Sequence, residues 1–191
     1  MKKGSIVGII VGSLLLTGCS TTNFYNRKKE VGITDRVSQK NDDGTTDKKI
    51  SFEIEEAMFS VDLIKGWKEL EVEEVHEDAS VALSNMKNTI YYVVIGENKE
   101  DFESLDFYKE LIIEQMIDEP DEVQEKEVTR NGLKGTNYTF YQAVDGIKFF
   151  YDIDILEGKE HFVQSISWTF KSKAKTNQDT MEQLLASIEE K

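Results

Sequence analysis

The chain has 191 residues, with 37 Asp/Glu against 23 Lys/Arg, a net charge of −14 and a single cysteine. That length suits one domain with a leader and a tether, and a lone cysteine leaves no internal disulfide and no thiolate metal cluster. So acidic a chain is repelled by phosphate backbones, which are bound mainly through Lys/Arg contacts, so nucleic acid is not expected as a partner.

Met1-Lys2-Lys3 precedes an apolar run from Ile6 to Leu16, broken only by small residues. This is the charged start, apolar middle and small-residue cleavage site of a secretory signal. The run is too short to span a bilayer, which takes roughly 20 apolar residues. Leu16-Thr17-Gly18-Cys19 resembles the bacterial lipobox: an aliphatic residue, a small one, Gly, then Cys. The resemblance implies that residues 1–18 are removed and that Cys19 carries a thioether-linked diacylglycerol at the mature N-terminus. The competing reading is an ordinary signal peptide that leaves a free thiol. Apart from that covalent diacylglycerol no cofactor is expected, and the expected location is the extracytoplasmic face of a bacterial cell membrane. Two or more acyl chains suit a chain with no other apolar segment, since one acyl chain binds a membrane only marginally.

Residues 19–49 read as a lipidated, flexible tether. From Ser20 to Lys49 there are seven Lys/Arg and five Asp/Glu, a net charge of +2. Asn41-Asp42-Asp43-Gly44-Thr45-Thr46-Asp47 has loop composition, and it lacks the alternating ligands and closing Glu of a calcium loop. As a coil of thirty residues the tether would span roughly 30 Å. Arg27-Lys28-Lys29 lies close to the lipid, where it would either meet anionic headgroups or stay solvated. Residues 50–191 hold 14 Lys/Arg and 32 Asp/Glu, a net charge of −18. A body with that charge is expected to stand off an anionic membrane rather than lie on it.

From Ile50 the pattern alternates with period two. Ile50, Phe52 and Ile54 form one strand face, and Phe59, Val61 and Leu63 form the next. Gly66-Trp67 interrupts the run, and the stretch from Glu69 to Asp78 is very acidic. Val81 and Leu83 mark another strand, and Thr89 to Ile95 reads as a buried one. Ser104 is placed to cap a helix with Leu105, Tyr108, Leu111, Ile112, Gln115 and Met116 on one face. Pro120 then stops it. A last helix is expected from about Gln178, with Met181, Leu184, Leu185 and Ile188 on its inner side.

Between the helices, Asn131-Gly132, Asp145-Gly146 and Gly158-Lys159 read as two-residue hairpin loops. The second pairs Val144 with Ile147, Phe140 with Tyr151 and Tyr138 with Ile153. The third pairs Ile155 with Phe162, Tyr151 with Ile166 and Phe149 with Trp168. Both registers put Ile147, Phe149, Tyr151, Ile153 and Ile155 on one face, so they agree on which side is apolar. The Asn131-Gly132 register is less consistent, because it turns Glu125 and Glu127 toward the apolar side.

Phe59-Ser60-Val61-Asp62-Leu63-Ile64-Lys65-Gly66-Trp67 resembles the early motif of PsbP-like domains, in which a strand ends in Pro-x-Gly-Trp. Ile64 here replaces that proline. His161 to Thr169 resembles the penultimate strand of these domains, which a C-terminal helix follows. The resemblance covers residues 50–191 and implies an α+β fold, an α/β/α sandwich with a central antiparallel sheet flanked by helices. Plant members are extrinsic subunits of photosystem II, a eukaryotic relative binds a small GTPase, and many bacterial members are lipoproteins. The family therefore implies a non-enzymatic binding or adaptor module for a protein or envelope component.

The chain has no phosphate-cradling glycine loop, zinc-protease helix motif or Gly-x-Ser-x-Gly elbow. One polar constellation remains: Asp152, Asp154 and His161, with Ser165 and Ser167, share the second face of the late hairpin. A serine triad fails, because His161 and Ser165 are about 13 Å apart along a strand. A divalent cation held by Asp152, Asp154 and His161, serving binding or metal-assisted hydrolysis, is the alternative function. The plainer expectation is a solvated polar strip with no metal. His76, among Glu73, Glu74, Glu77 and Asp78, reads as a surface histidine.

Overall fold

A computed structural model describes residues 48–117 and 121–191. The signal peptide, the lipobox with Cys19, the tether up to Asp47 and Pro120 lie outside the described residues. The strands are β1 (Lys48–Ile54), β2 (Ala57–Leu63), β3 (Lys68–Glu69), β4 (Val81–Asn85) and β5 (Ile90–Asn98). After α1 (Leu105–Met116) come β6 (Asp121–Arg130), β7 (Leu133–Val144), β8 (Ile147–Glu157) and β9 (His161–Phe170), then α2 (Ala174–Leu185) and β10 (Glu189–Glu190). Seven strands form an antiparallel sheet in the order β3-β4-β5-β9-β8-β7-β6, and β1-β2-β10 form a second.

Alternation in the middle strands builds two cores, one on each side of the large sheet. Tyr151, Ile153 and Ile155 of β8 pack with Tyr108, Ile112 and Met116 of α1. Phe150 and Leu156, on the other face of β8, pack with Met181 and Leu184 of α2 and with Phe52, Phe59 and Val61 of the small sheet. The result is the expected α+β layering, with one outer layer shared between a helix and a three-stranded sheet. Gly96 in β5 admits that sheet: a Cβ there would stand 2.5 Å from Cγ2 of Ile54.

Two of the three hairpins follow the expected loops. Asp145 and Gly146 adopt φ of 50° and 79°, the left-handed values such loops require, and Val144 pairs with Ile147. Asn131 and Gly132, at φ 47° and 93°, join Arg130 to Leu133. Glu125 and Glu127 do lie opposite Tyr138 and Thr136 in that register. They are nevertheless exposed, on a strand at the edge of the sheet.

The third loop differs. Its central residues are Lys159 and Glu160, so Tyr151 pairs with Trp168 and Phe149 with Phe170. Gly158 belongs to the ladder: its N–H donates to the His161 carbonyl at 2.8 Å. A Cβ on Gly158 would sit 3.2 Å from that same oxygen, so this glycine serves close approach rather than a turn. The slip is two residues, and side chains alternate with period two, so every residue stays on its expected face.

The helices match with one shift. Ser104 Oγ accepts the Phe107 N–H at 3.1 Å and starts α1. Helix α2 begins at Ala174 rather than near Gln178. Asn177 is buried there, donating to Thr169 Oγ1 at 2.8 Å and to the Asn88 carbonyl at 2.9 Å. Tertiary contacts of this kind extend a helix past its apolar pattern.

Trp168 is buried, as expected, but its partners are Tyr91 and Tyr151. Tyr91, Trp168, Tyr151 and Phe140 are successive cross-strand neighbours on the α1 side. Their ring centroids are 5.5, 6.5 and 5.2 Å apart, a row of stacked pairs each adding ~0.5–1.5 kcal/mol beyond area burial. Trp168→Ala should therefore cost ~3–5 kcal/mol and lower the melting temperature by ~10 °C or more. A thermal melt that overlays wild type would contradict this register.

Candidate functional site

The residues singled out for chemistry do share one face of the sheet, but that face is covered. Asp152, Asp154 and His161 are 2%, 0% and 4% exposed, so the expectation of a solvated strip is incorrect. Helix α2 and the small sheet lie across this face and remove it from water.

A carboxylate buried without a partner is costly, and both aspartates have partners. Arg130, at the end of β6, donates from Nε to Asp154 Oδ2 at 2.6 Å. Its other two nitrogens reach Glu182 of α2 at 2.8 and 3.0 Å. Asn137, opposite Asp154 in the β7–β8 register, donates from Nδ2 to Asp154 Oδ1 at 2.8 Å and to Asp152 Oδ1 at 2.7 Å. One guanidinium and one amide thus bind two buried carboxylates of β8 to an edge strand and to the last helix.

The two aspartates are unequal. Burial pushes both carboxyl groups above the usual range, and at Asp154 the Arg130 guanidinium opposes it. Asp152 has no guanidinium against it: burial, with the nearby Asp154 and Glu182 charges, outweighs the Asn137 hydrogen bond and the charge of Lys126 and takes it up to about 6.

The serines are occupied as well. Ser165 Oγ shares a hydrogen bond with the Tyr92 hydroxyl at 2.8 Å, and Ser167 Oγ donates to the Tyr91 carbonyl at 3.0 Å. His161 lies at the other end of β9 and turns to a different partner. Its Nε2 is 3.0 Å from Glu55 Oε2 in the β1–β2 turn, and Asn98 Nδ2 reaches the same oxygen at 3.3 Å. The contact ties the small sheet to the large one and helps hold Glu55 at φ 51°. Asp152 and Asp154 are therefore not brought together with His161. Among the described residues no group of three or more His, Cys, Asp or Glu is arranged to hold a metal ion. His76 is half-buried, with Nδ1 accepting the Asp78 N–H at 3.2 Å.

At the same end as His161 a groove of about 380 Å³ opens between the β6–β7 and β8–β9 turns, lined by residues 131–134, 157–159 and Glu190. Its acidic groups are engaged: Glu190 accepts the Lys159 N–H at 2.9 Å, and Glu157 accepts Lys99 Nζ at 2.7 Å. Arg130, Asn137, Glu182 and Glu55 were not singled out in the sequence. Of these only Asn137 had a signal, since the Asp145-Gly146 register already sets it opposite Asp154.

No protein-family model and no curated protein sequence matches the chain. Several solved structures are similar in fold. LpqN of Mycobacterium tuberculosis, described as involved in cell envelope biogenesis, aligns at TM-score 0.52 and 10% identity, covering 75% of this chain and 90% of its own. The cyanobacterial PsbP of Synechocystis aligns at TM-score 0.49 and 10% identity, covering 69% of this chain and 85% of its own. A Pseudomonas aeruginosa protein of unknown function, a putative regulator by its description, aligns at 0.46 and 9% identity, over 73% and 94%. At these identities the likeness concerns the fold.

The Asp152 environment has a measurable consequence. Its folded value, about 6, exceeds the unbound 3.8, so the folded state holds the proton more tightly than the unfolded chain. Stability associated with this group is complete at low pH and is lost as pH rises from about 4 through 6. The loss is on the order of 2–3 kcal/mol. Asp152→Asn keeps an oxygen for Asn137 and should be more stable than wild type at pH 8 by that order, with the gap closing at pH 4. Denaturant midpoints at the two pH values measure it, and a variant less stable at pH 8 would reverse the assignment.

Proposed function

We infer that the chain is a lipid-anchored, extracytoplasmic binding or adaptor module whose ligand is a protein or an envelope component, and that it is not an enzyme. The observation that carries this reading is the fate of the polar face. Each carboxylate and hydroxyl there that was available for acid–base or metal chemistry is used in an internal hydrogen bond. Catalysis needs such groups aimed at a substrate across an accessible cleft, and here they are committed to holding layers together. The lipobox supports the anchor, because Cys19 is the sole cysteine and stands where acylation requires it. The cell envelope, the setting named for LpqN, is the setting this reading implies.

Two measurements test it. Cys19→Ser should abolish lipid labelling and release the protein from membrane fractions; attachment that persists in high salt would sink the anchor. Divalent cations should give no thermal shift that survives ~1 M salt, where diffuse binding to acidic surfaces is screened. A salt-resistant shift that disappears in Asp152→Asn/Asp154→Asn would restore the cation-dependent alternative.

A further inference from the structure

Charge on this domain is sorted along the strand direction. At one end carboxylates are in excess: the β1–β2 turn holds Glu55 and Glu56, the segment after β5 holds Glu100 and Asp101 beside Lys99, and the end of β8 and its turn hold Glu157 and Glu160 beside Lys159. The other end holds the β4–β5 turn, the β7–β8 turn and the link from β9 to α2. Here lysines outnumber the one acidic residue of these turns, Asp145: Lys87 lies in the first turn, and Lys171, Lys173 and Lys175 lie around the start of α2. No acidic residue stands in the first turn of α2. Two large apolar side chains at this end are exposed, Met86 at 61% and Ile147 at 46%. Asp121 and Glu122 open β6 at this end too, on the far edge strand.

The described chain also begins here. Lys48 pairs with Leu63, and Lys65 and Gly66 link that strand to β3, where Lys68 pairs with Ser84. A Cβ on Gly66 would lie 3.6 Å from Asn85 Nδ2, which puts the link against the β4–β5 turn. Residues 20–47, leading back to Cys19, therefore join the domain at its lysine-bearing end.

We propose that this end, marked by Met86, Lys87, Ile147, Lys171 and Lys175, rests on the membrane surface and binds the phosphate-bearing headgroups of anionic lipids. The proposal builds on the acyl anchor at Cys19. Each lysine near an anionic surface adds to the attraction, and the interaction acts within about a Debye length, roughly 8–10 Å in physiological salt. The anchor supplies the proximity, so the lysines need only orient the domain. Methionine and isoleucine at the tip enter the headgroup boundary, where apolar side chains are favoured. The net charge of the body predicts a domain held away from the bilayer. The sorted charge instead gives one that faces the bilayer with its lysines and turns its carboxylates outward.

The test uses the mature, lipidated chain in phosphatidylcholine vesicles with and without phosphatidylglycerol. Cys19 is the sole native cysteine and is blocked by acylation. Ser172→Cys or Glu100→Cys, both exposed, then accepts a single fluorophore at one end or the other, read by quenching from headgroup-labelled lipid. Quenching at position 172 should exceed that at position 100 several-fold in phosphatidylglycerol vesicles. The excess should vanish at ~1 M salt, where the Debye length is about 3 Å. It should also vanish in Lys87→Glu/Lys171→Glu/Lys175→Glu, provided that variant melts like wild type. Lys126→Glu/Lys134→Glu/Lys159→Glu makes the same change in net charge at other positions and should leave the excess intact. Equal quenching at both positions in a chain that stays anchored overturns the proposal and leaves this end to an acidic protein ligand. A chain that never acquires acyl groups overturns the anchor instead, and lipid labelling separates the two failures.

Discussion

The guanidinium of Arg130, held between Asp154 and Glu182, is where the edge strand, the middle of the sheet and the last helix meet. Two carboxylates on the inner face of β8 would be intolerable under a helix unless that helix and the neighbouring strands brought donors to them. Removing one member of a buried ion pair typically costs about 3–5 kcal/mol, because its partner is left charged and dry. The pairing therefore restricts α2 to placements that keep Glu182 over Arg130. From that placement follow the cover over Phe150 and Leu156 and the position of the small sheet beside it.

Much of the architecture could be read from alternation and turn chemistry. Asp145-Gly146 specified its register outright, since left-handed backbone at both central residues is what such a loop needs. Gly158 was misleading because glycine has two uses. At position 158 it stands beside the turn's centre, where a Cβ would crowd Glu190 Oε2 and the His161 carbonyl. The consequence stayed small: with side chains repeating every two residues, a two-residue slip exchanges partners along a strand and leaves the faces alone.

The candidate site was legible in membership and not in environment. Asp152, Asp154, His161, Ser165 and Ser167 share a face, as the hairpin requires. What covers that face depends on where a helix beginning at Ala174 comes to lie, and on Arg130, 24 residues away from Asp154 in the chain. Neither follows from a local pattern, and polar residues on a strand look the same in sequence whether they meet water or a guanidinium. The two ends of the domain were harder still. Net charge is a sum, and it conceals that carboxylates are in excess at one end and lysines at the other until the strand directions are known.

The strand order carries one more consequence, for the timing of folding. Strand β9 lies between β5 and β8, and the bond from Tyr92 to Ser165 joins positions 73 residues apart. The small sheet closes later still in sequence, with Lys49 bonded to Glu189 across 140 residues. Loops of that length must be closed before the contacts they allow contribute anything, which makes such topologies slow to form. A ribosome-bound or partly synthesised chain that has not reached residues 161–191 has no central strand, no α2 and no third strand for the small sheet. The two cores therefore close together only after β9, α2 and β10 have been made.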